Sequence, residues 1–364
     1  MTSHPVILLG NGLRNHPEMV EYLSNIGIPC LTTWMGMDLL PEDHPSFCGR
    51  PGIFGQRAAN IIQQKATHFY AFGARMDEGQ VAYRYDLFAP HAIKHVWDCD
   101  QAEVDKLPSD WIQLGKTTLF PAPDPGWLLW CKELYARFRP ELDGANNPAY
   151  VDPFYFVNLL SEYAQPDDII IAGAGKAGET LMQTFKVKPG QRVITLSTNG
   201  AMGYDIPVSI GAAVSSGRRV LCVTGDGGFM LNMQELEIVR RLKLPIQFFV
   251  HSNNGYGSIR AMQDARFEGR HVGCDPESGF TIPKLEEVAE CFGIPYLRSD
   301  TLAAYKLTQA AWSMFGHAII ELLIDPLYAQ FPRVATALVD GKWQQDSMED
   351  MTPHLEDLEE IMNG

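Results

Sequence analysis

Short runs of branched and aromatic residues alternate along the chain with longer amphipathic stretches, the pattern of parallel strands joined by crossover helices. The runs predict strands at Val6–Leu9, Pro29–Thr32, His68–Phe72, Lys94–Asp98, Ile169–Ala172, Val193–Leu196, Val220–Thr224, Ile246–His251 and Ala318–Leu323. Helices are expected between them, among others at Pro17–Asn25, Ala58–Lys65, Met233–Arg241 and Leu285–Cys291. The fold class that follows is α/β, with two doubly wound parallel-sheet domains. Turn formers crowd together from Arg139 to Pro148 and periodicity vanishes there, which sets one domain over residues 1–140 and another over 150–334. From 335 to 364 the chain turns polar and acidic, a tail expected to pack over the second domain.

The most informative run is Val220-Leu221-Cys222-Val223-Thr224-Gly225-Asp226-Gly227-Gly228-Phe229, an apolar strand that opens into a glycine-rich loop holding one carboxylate. Open α/β sheets bind ligands at the carboxyl ends of their strands. Glycines let backbone amides approach an anion closely, and Asp226 offers a grip on a cation there. Asn232 with Glu235 three residues on has the spacing of a capping box for the next helix. The chain returns through Ile246–His251 and ends at Ser252-Asn253-Asn254-Gly255-Tyr256-Gly257. Consecutive parallel strands are usually neighbours, so Asp226 and Asn254, 28 positions on, are expected at one edge of the sheet. A carboxylate, an amide oxygen and a backbone carbonyl are hard oxygen ligands, suited to magnesium that also holds a diphosphate. Taken singly, Gly-Asp-Gly and Asn-Asn-Gly are ordinary turns; what distinguishes them is that both follow apolar strands one crossover apart.

Composition narrows the field. A net charge of -15 over 364 residues argues against nucleic acid and anionic membranes as partners, since both are bound through clustered Lys and Arg. The seven cysteines are scattered without a CxxC pair, a pattern of reduced thiols that suits a cytoplasmic location. No apolar run reaches the roughly 18 residues needed to span a bilayer.

Gly225-Asp226-Gly227 followed by Asn253-Asn254 resembles the thiamine-diphosphate motif, and the surrounding text resembles the acetolactate synthase-like branch of thiamine-diphosphate enzymes. The likeness extends to Asn199-Gly200-Ala201-Met202-Gly203-Tyr204-Asp205-Ile206-Pro207. In the first domain Thr32-Thr33-Trp34-Met35-Gly36, Pro41-Glu42-Asp43-His44-Pro45 and Phe72-Gly73-Ala74-Arg75 are similar to that branch's central domain. The resemblance implies that Asp226, the Asn254 side chain and the Tyr256 carbonyl ligate magnesium. It places the cofactor diphosphate against the amides of Gly227 and Gly228, with Gly173, Gly175 and Lys176 nearby and Gly200 and Gly225 in the same site. Met202 corresponds to the bulky residue that bends the cofactor; without the resemblance it reads as a core gap-filler. Ala172–Gly178 lacks the family's His-Gln pair, so Lys176 serves in its place or is simply solvated. FAD binding is left open, because the flavin-associated segment here reads Gly73-Ala74-Arg75-Met76-Asp77-Glu78-Gly79 without its final Arg, and Arg75 suits a structural ion pair as well. Arg260, Gln263 and His271 fall where the substrate-proximal helix and loop lie in the family, and no catalytic role is carried onto them.

Family members also carry a pyrimidine-binding domain with a glutamate that protonates the aminopyrimidine, whereas only five residues precede the first expected strand here. The expectation is a separate pyrimidine-domain subunit that supplies the glutamate, giving a hetero-oligomer; a longer parent chain is the rival explanation. The expected activity is decarboxylation and carboligation of a 2-oxo acid. Simple decarboxylation is a close variant, and a non-catalytic scaffold retaining the fold is the reading from another class. Gly173-Ala174-Gly175-Lys176-Ala177-Gly178 approximates a dinucleotide-binding GxGxxG, a weak signal because no acidic residue stands at the end of the next strand, where Leu196 to Thr198 fall.

Overall fold

A computed structural model describes residues 3–115, 119–139, 147–196, 199–301 and 311–363. It divides into two compact units, residues 1–139 with 331–364, and residues 140–330.

The first unit is built on a five-stranded parallel sheet. Its strands are β1 (Pro5–Leu9), β2 (Cys30–Thr32), β3 (His68–Phe72), β4 (Ile93–Trp97) and β5 (Ile112–Gln113), in the order β2-β1-β3-β4-β5. Helices α1 (Pro17–Ser24), α2 (Arg57–Gln64), α3 (Gln101–Asp105) and α4 (Trp127–Arg137) belong to it. Every residue of β1 is buried, as expected of a central parallel strand covered on both faces. The tail from 335 to 364 was expected over the second domain, but residues 331–364 belong to this unit instead. Arg57 explains why: its guanidinium is buried and donates to the carbonyls of Met351 (2.9 Å) and Pro353 (2.6 Å), while Val334 N–H donates to Ile53 O at 2.8 Å. The segment also carries an antiparallel hairpin, β12 (Thr336–Val339) with β13 (Lys342–Gln345), and the short helix α12 (Leu358–Asn363).

The second unit has a six-stranded parallel sheet formed by β6 (Ile169–Ala172), β7 (Arg192–Thr195), β8 (Val220–Gly225), β9 (Ile246–Ser252), β10 (Tyr296–Ser299) and β11 (Ala318–Leu323). The order is β10-β11-β9-β8-β6-β7. Its helices are α5 (Pro153–Tyr163), α6 (Lys176–Thr184), α7 (Asp205–Ser216), α8 (Asp226–Met230), α9 (Leu236–Leu242), α10 (Gly257–Arg266) and α11 (Leu285–Phe292). Strands β8 and β9 are neighbours, with Val220 opposite Ile246 and Gly225 opposite His251, so their polar sequels emerge at the same edge. One face of the sheet packs Phe248 and Val250 against Phe229, Leu236 and Val239; on the other, Phe249 meets Phe156 and Trp312.

The Asn232 capping box is not formed. Asn232 makes no side-chain cap bond, and its Nδ2 donates to Gly203 O at 2.7 Å, a tertiary bond that outcompetes the local one. Residues 233–235 accordingly form a single 3-10 turn before α9. All seven cysteines are free, five of them buried. No helix among the described residues is long and apolar enough to cross a membrane.

Candidate functional site

The carboxyl edge of the second sheet holds a cavity of about 210 Å³. Asp226 lies in its wall, at the first position of α8, and is 1% exposed. Its Oδ2 accepts the backbone N–H groups of Asn253 (3.1 Å), Asn254 (2.8 Å) and Gly255 (3.3 Å), and its Oδ1 accepts that of Gly227 at 2.7 Å. One carboxylate therefore ties the end of β8 to the end of β9. Burial pushes its pKa up to about 6, although the four amides pull the other way. At neutral pH it is predominantly ionised.

The loop it grips is shaped for this contact. Asn254 sits at φ 62° and Gly255 at φ 147°, and a Cβ on Gly255 would meet Cys274 O at 2.1 Å, so glycine is required there. Tyr256 N–H donates to the same Cys274 carbonyl at 2.8 Å. The Tyr256 ring stacks on Phe280 with centroids 4.0 Å apart, and it lies so close over Gly227 that a Cβ there would stand 2.5 Å from a ring carbon.

The opposite wall comes from the β6–α6 turn. Gly175 and Lys176 line the cavity at the start of α6, where the positive end of the helix dipole favours an anion. The Lys176 ammonium donates to Tyr328 O at 2.5 Å and stands over the Tyr328 ring at 5.4 Å, so its charge is held in place rather than left loose in solvent. Gly173 is buried behind the cavity: its N–H donates to Val223 O, and a Cβ would press on the Thr224 backbone. Of the GxGxxG glycines, Gly178 serves packing too, because a Cβ there would overlap Gly173 O at 1.8 Å. Of the strand end where that motif's acidic partner was sought, Ser197 and Thr198 lie outside the described residues.

The other sequence-derived residues divide. Gly200, Met202, Gly225, Gly227, Gly228 and Tyr256 line the cavity with Asp226. Met202 is 42% exposed, a high value for a thioether and inconsistent with a core gap-filler. Asn254 is brought to Asp226 through its backbone, but its side chain is exposed and outside the lining, whereas Asn253 is part of it. Arg260 and Gln263 on α10 and His271 in the loop after it form a knot of their own. Gln263 exchanges hydrogen bonds with Val272 (3.2 and 3.0 Å), His271 Nε2 pairs with Asp264 at 2.7 Å, and Arg260 faces Asp275 at 3.7 Å. In the first unit Arg75 is exposed and pairs with Glu103 at 3.2 Å, the structural role the sequence left open.

Sequence reasoning did not single out His251, Ile324 or Tyr328 as lining residues. Nor did it find the support beneath the site, where the Thr224 hydroxyl donates to the buried Asp205 carboxylate and the Tyr204 hydroxyl to Ala172 O. No local pattern signals such contacts. His251 is buried, and burial lowers its pKa to about 3, so it is neutral in the folded protein. An unfolded histidine titrates near 6.5, so between these values the unfolded chain binds the extra proton and stability falls as pH falls. We expect wild-type protein to lose up to about 1.4 kcal/mol per pH unit below pH 6 relative to His251→Phe, read from denaturant midpoints across that range.

Residues 173–322 match the model for the thiamine pyrophosphate enzyme C-terminal TPP binding domain, and residues 2–115 that for the thiamine pyrophosphate enzyme central domain. Among similar proteins is the acetolactate synthase isozyme 2 large subunit of Escherichia coli (strain K12), 29% identical across 91% of this chain and 61% of its own length. Acetolactate synthase 2, chloroplastic, of Zea mays is 28% identical over 83% of this chain and 51% of its own. The acetolactate synthase large subunit of Lactococcus lactis subsp. lactis (strain IL1403) is 26% identical over 82% and 54%. The chain thus spans between half and about three fifths of the length of these relatives. With two parallel α/β units that match the central and cofactor-binding domains in order, the chain belongs to the thiamine pyrophosphate enzymes, in their acetolactate synthase-like branch.

Proposed function

We propose that this chain anchors thiamine diphosphate through magnesium in an enzyme that decarboxylates a 2-oxo acid and joins the remaining fragment to a second carbonyl. The observation that carries this reading is the Asp226 carboxylate, buried where two strand ends meet and set opposite the first turn of α6 across one cavity. The donor set suits a hard cation. Asp226 Oδ1 accepts one amide, and the Tyr256 carbonyl accepts Arg260 N–H at 2.9 Å, so each oxygen keeps a lone pair. These two, with Asn253 from the cavity wall in place of the outward-facing Asn254, would hold magnesium. The α6 amides and the fixed Lys176 charge would receive the diphosphate. Bound there, thiamine diphosphate supplies the electron sink for a carbanion next to a carbonyl.

The chain's own residues bind, orient and shield. Met202, half exposed at the cavity, gives a bulky apolar surface on which a ring can bend. Tyr256, stacked on Phe280, covers Gly227 and keeps water from that side of the Asp226 loop. Exposed apolar side chains also stand near the cavity, Met202 and Ile259 in its lining and Met262 further along α10. They support the remaining part of the proposal, that a separate pyrimidine-domain subunit docks here and brings the glutamate that activates the cofactor.

The test is to assay the full chain with pyruvate, magnesium and thiamine diphosphate, alone and after co-purification with its native partners. Activity is expected only in the complex; equal rates from the isolated chain overturn the two-subunit arrangement. A hydroxyketone product supports carboligation, and an aldehyde converts the reading to simple decarboxylation.

A further inference from the structure

His251 is the last core residue of β9 before the polar loop, in a run that otherwise reads Ile246-Gln247-Phe248-Phe249-Val250. It is 5% exposed, meets the Phe156 ring edge-on at 5.4 Å, and lines the cavity that holds Asp226. The neighbouring Phe249, Phe156 and Trp312 make an aromatic layer beside it. What histidine adds is a polar nitrogen, and His251 Nε2 is buried without a hydrogen-bond partner among the described residues. Burial of an unpaired polar atom is costly, and such atoms persist where a ligand completes them.

The surroundings decide what that partner is. The start of α6, the Lys176 ammonium and the glycine loop after β8 all present donors to this cavity, so its occupant is rich in acceptors. We propose that His251 is a further ligand-binding residue of this site, donating its Nε2–H to an anionic oxygen of the bound diphosphate and fixing that group against the sheet edge. The inference rests on the cofactor reading above. A neutral imidazole held as the Nε2–H tautomer donates there without adding charge.

The experiment uses the full chain and two probes, magnesium thiamine diphosphate and magnesium pyrophosphate, measured by calorimetry. His251→Phe is expected to weaken both about tenfold, and His251→Gln, which restores an N–H donor, to recover most of the loss. In 15N-histidine spectra the His251 Nε2–H signal should shift on adding either probe, while thermal melts show His251→Phe at least as stable as wild type. Unaltered affinities with an unmoved His251 signal overturn the proposal, as does a loss confined to thiamine diphosphate, which would put the contact off the diphosphate. A drop in stability with unaltered affinity makes His251 purely structural. If the wild-type chain binds neither probe in a magnesium-dependent way, the cofactor reading itself fails; if it binds and His251→Phe binds equally, that reading stands and this inference falls.

Discussion

Asp226→Asn should cost the protein about a hundredfold or more in magnesium-dependent affinity for thiamine diphosphate while leaving the fold intact. The substitution keeps the volume of the side chain but replaces an ionised oxygen by an NH2 group, and it removes the anionic ligand from the proposed ion. Uncompensated loss of a buried charge interaction is worth about 3–5 kcal/mol, which corresponds to two or more decades of affinity. The fold should tolerate the change because the carboxylate is held against stability. Its pKa is raised to about 6 by burial, so the folded protein favours the charged form less than water does. Removing the charge relieves that penalty and offsets the clash of the new donor with the amides of residues 253–255. Titration calorimetry with and without magnesium reads the first effect and a denaturant melt the second. Unchanged cofactor affinity in this variant would remove the basis of the assignment.

Gly178→Ala should unfold or severely destabilise the second unit, by about 3 kcal/mol or more. The added methyl carbon would stand 1.8 Å from Gly173 O, a backbone atom that no rotamer change can move aside. Relief requires α6 to back away from the end of β6, which also withdraws the Gly175 and Lys176 wall from the cavity. The contrast is Gly211→Ala in α7, exposed and with nothing within 4 Å of the new carbon, expected to stabilise by up to about 1 kcal/mol. Urea melts of the two variants side by side decide the matter; similar midpoints would show that the α6–β6 approach is not as tight as described.

These cases bear on what the sequence alone disclosed. The central strands were legible because strands buried on both faces read as unbroken apolar runs: β6 is Ile-Ile-Ile-Ala and matches its expected span. The two-residue, exposed β5 and the polar edge strand β10 were not, since neither carries such a run. The same property that reveals a strand conceals a polar residue within it, which is why His251 passed for part of β9's apolar interior. Asp226 was legible because a carboxylate between glycines breaks an apolar run at its end. Asn232 misled because Asn-x-x-Glu is a local pattern, and the bond to Gly203 that displaces it depends on a residue 29 positions away. The tail followed the same logic: its Met351 and Pro353 carbonyls accept from the Arg57 guanidinium, 294 and 296 positions back, beyond the reach of any local signal.

That return of residues 331–364 to the first unit has a bearing on biosynthesis. The polypeptide leaves the first unit at residue 139, completes all of 140–330, and only then delivers the strand pair, the helix and the Arg57 acceptors that finish what was begun. On the ribosome the cofactor-binding portion is fully emerged while the earlier portion still waits for its closing segment. Of the two units, the one begun first is therefore the one completed last, since β1 through α4 precede residues 140–330 and their closing segment follows them.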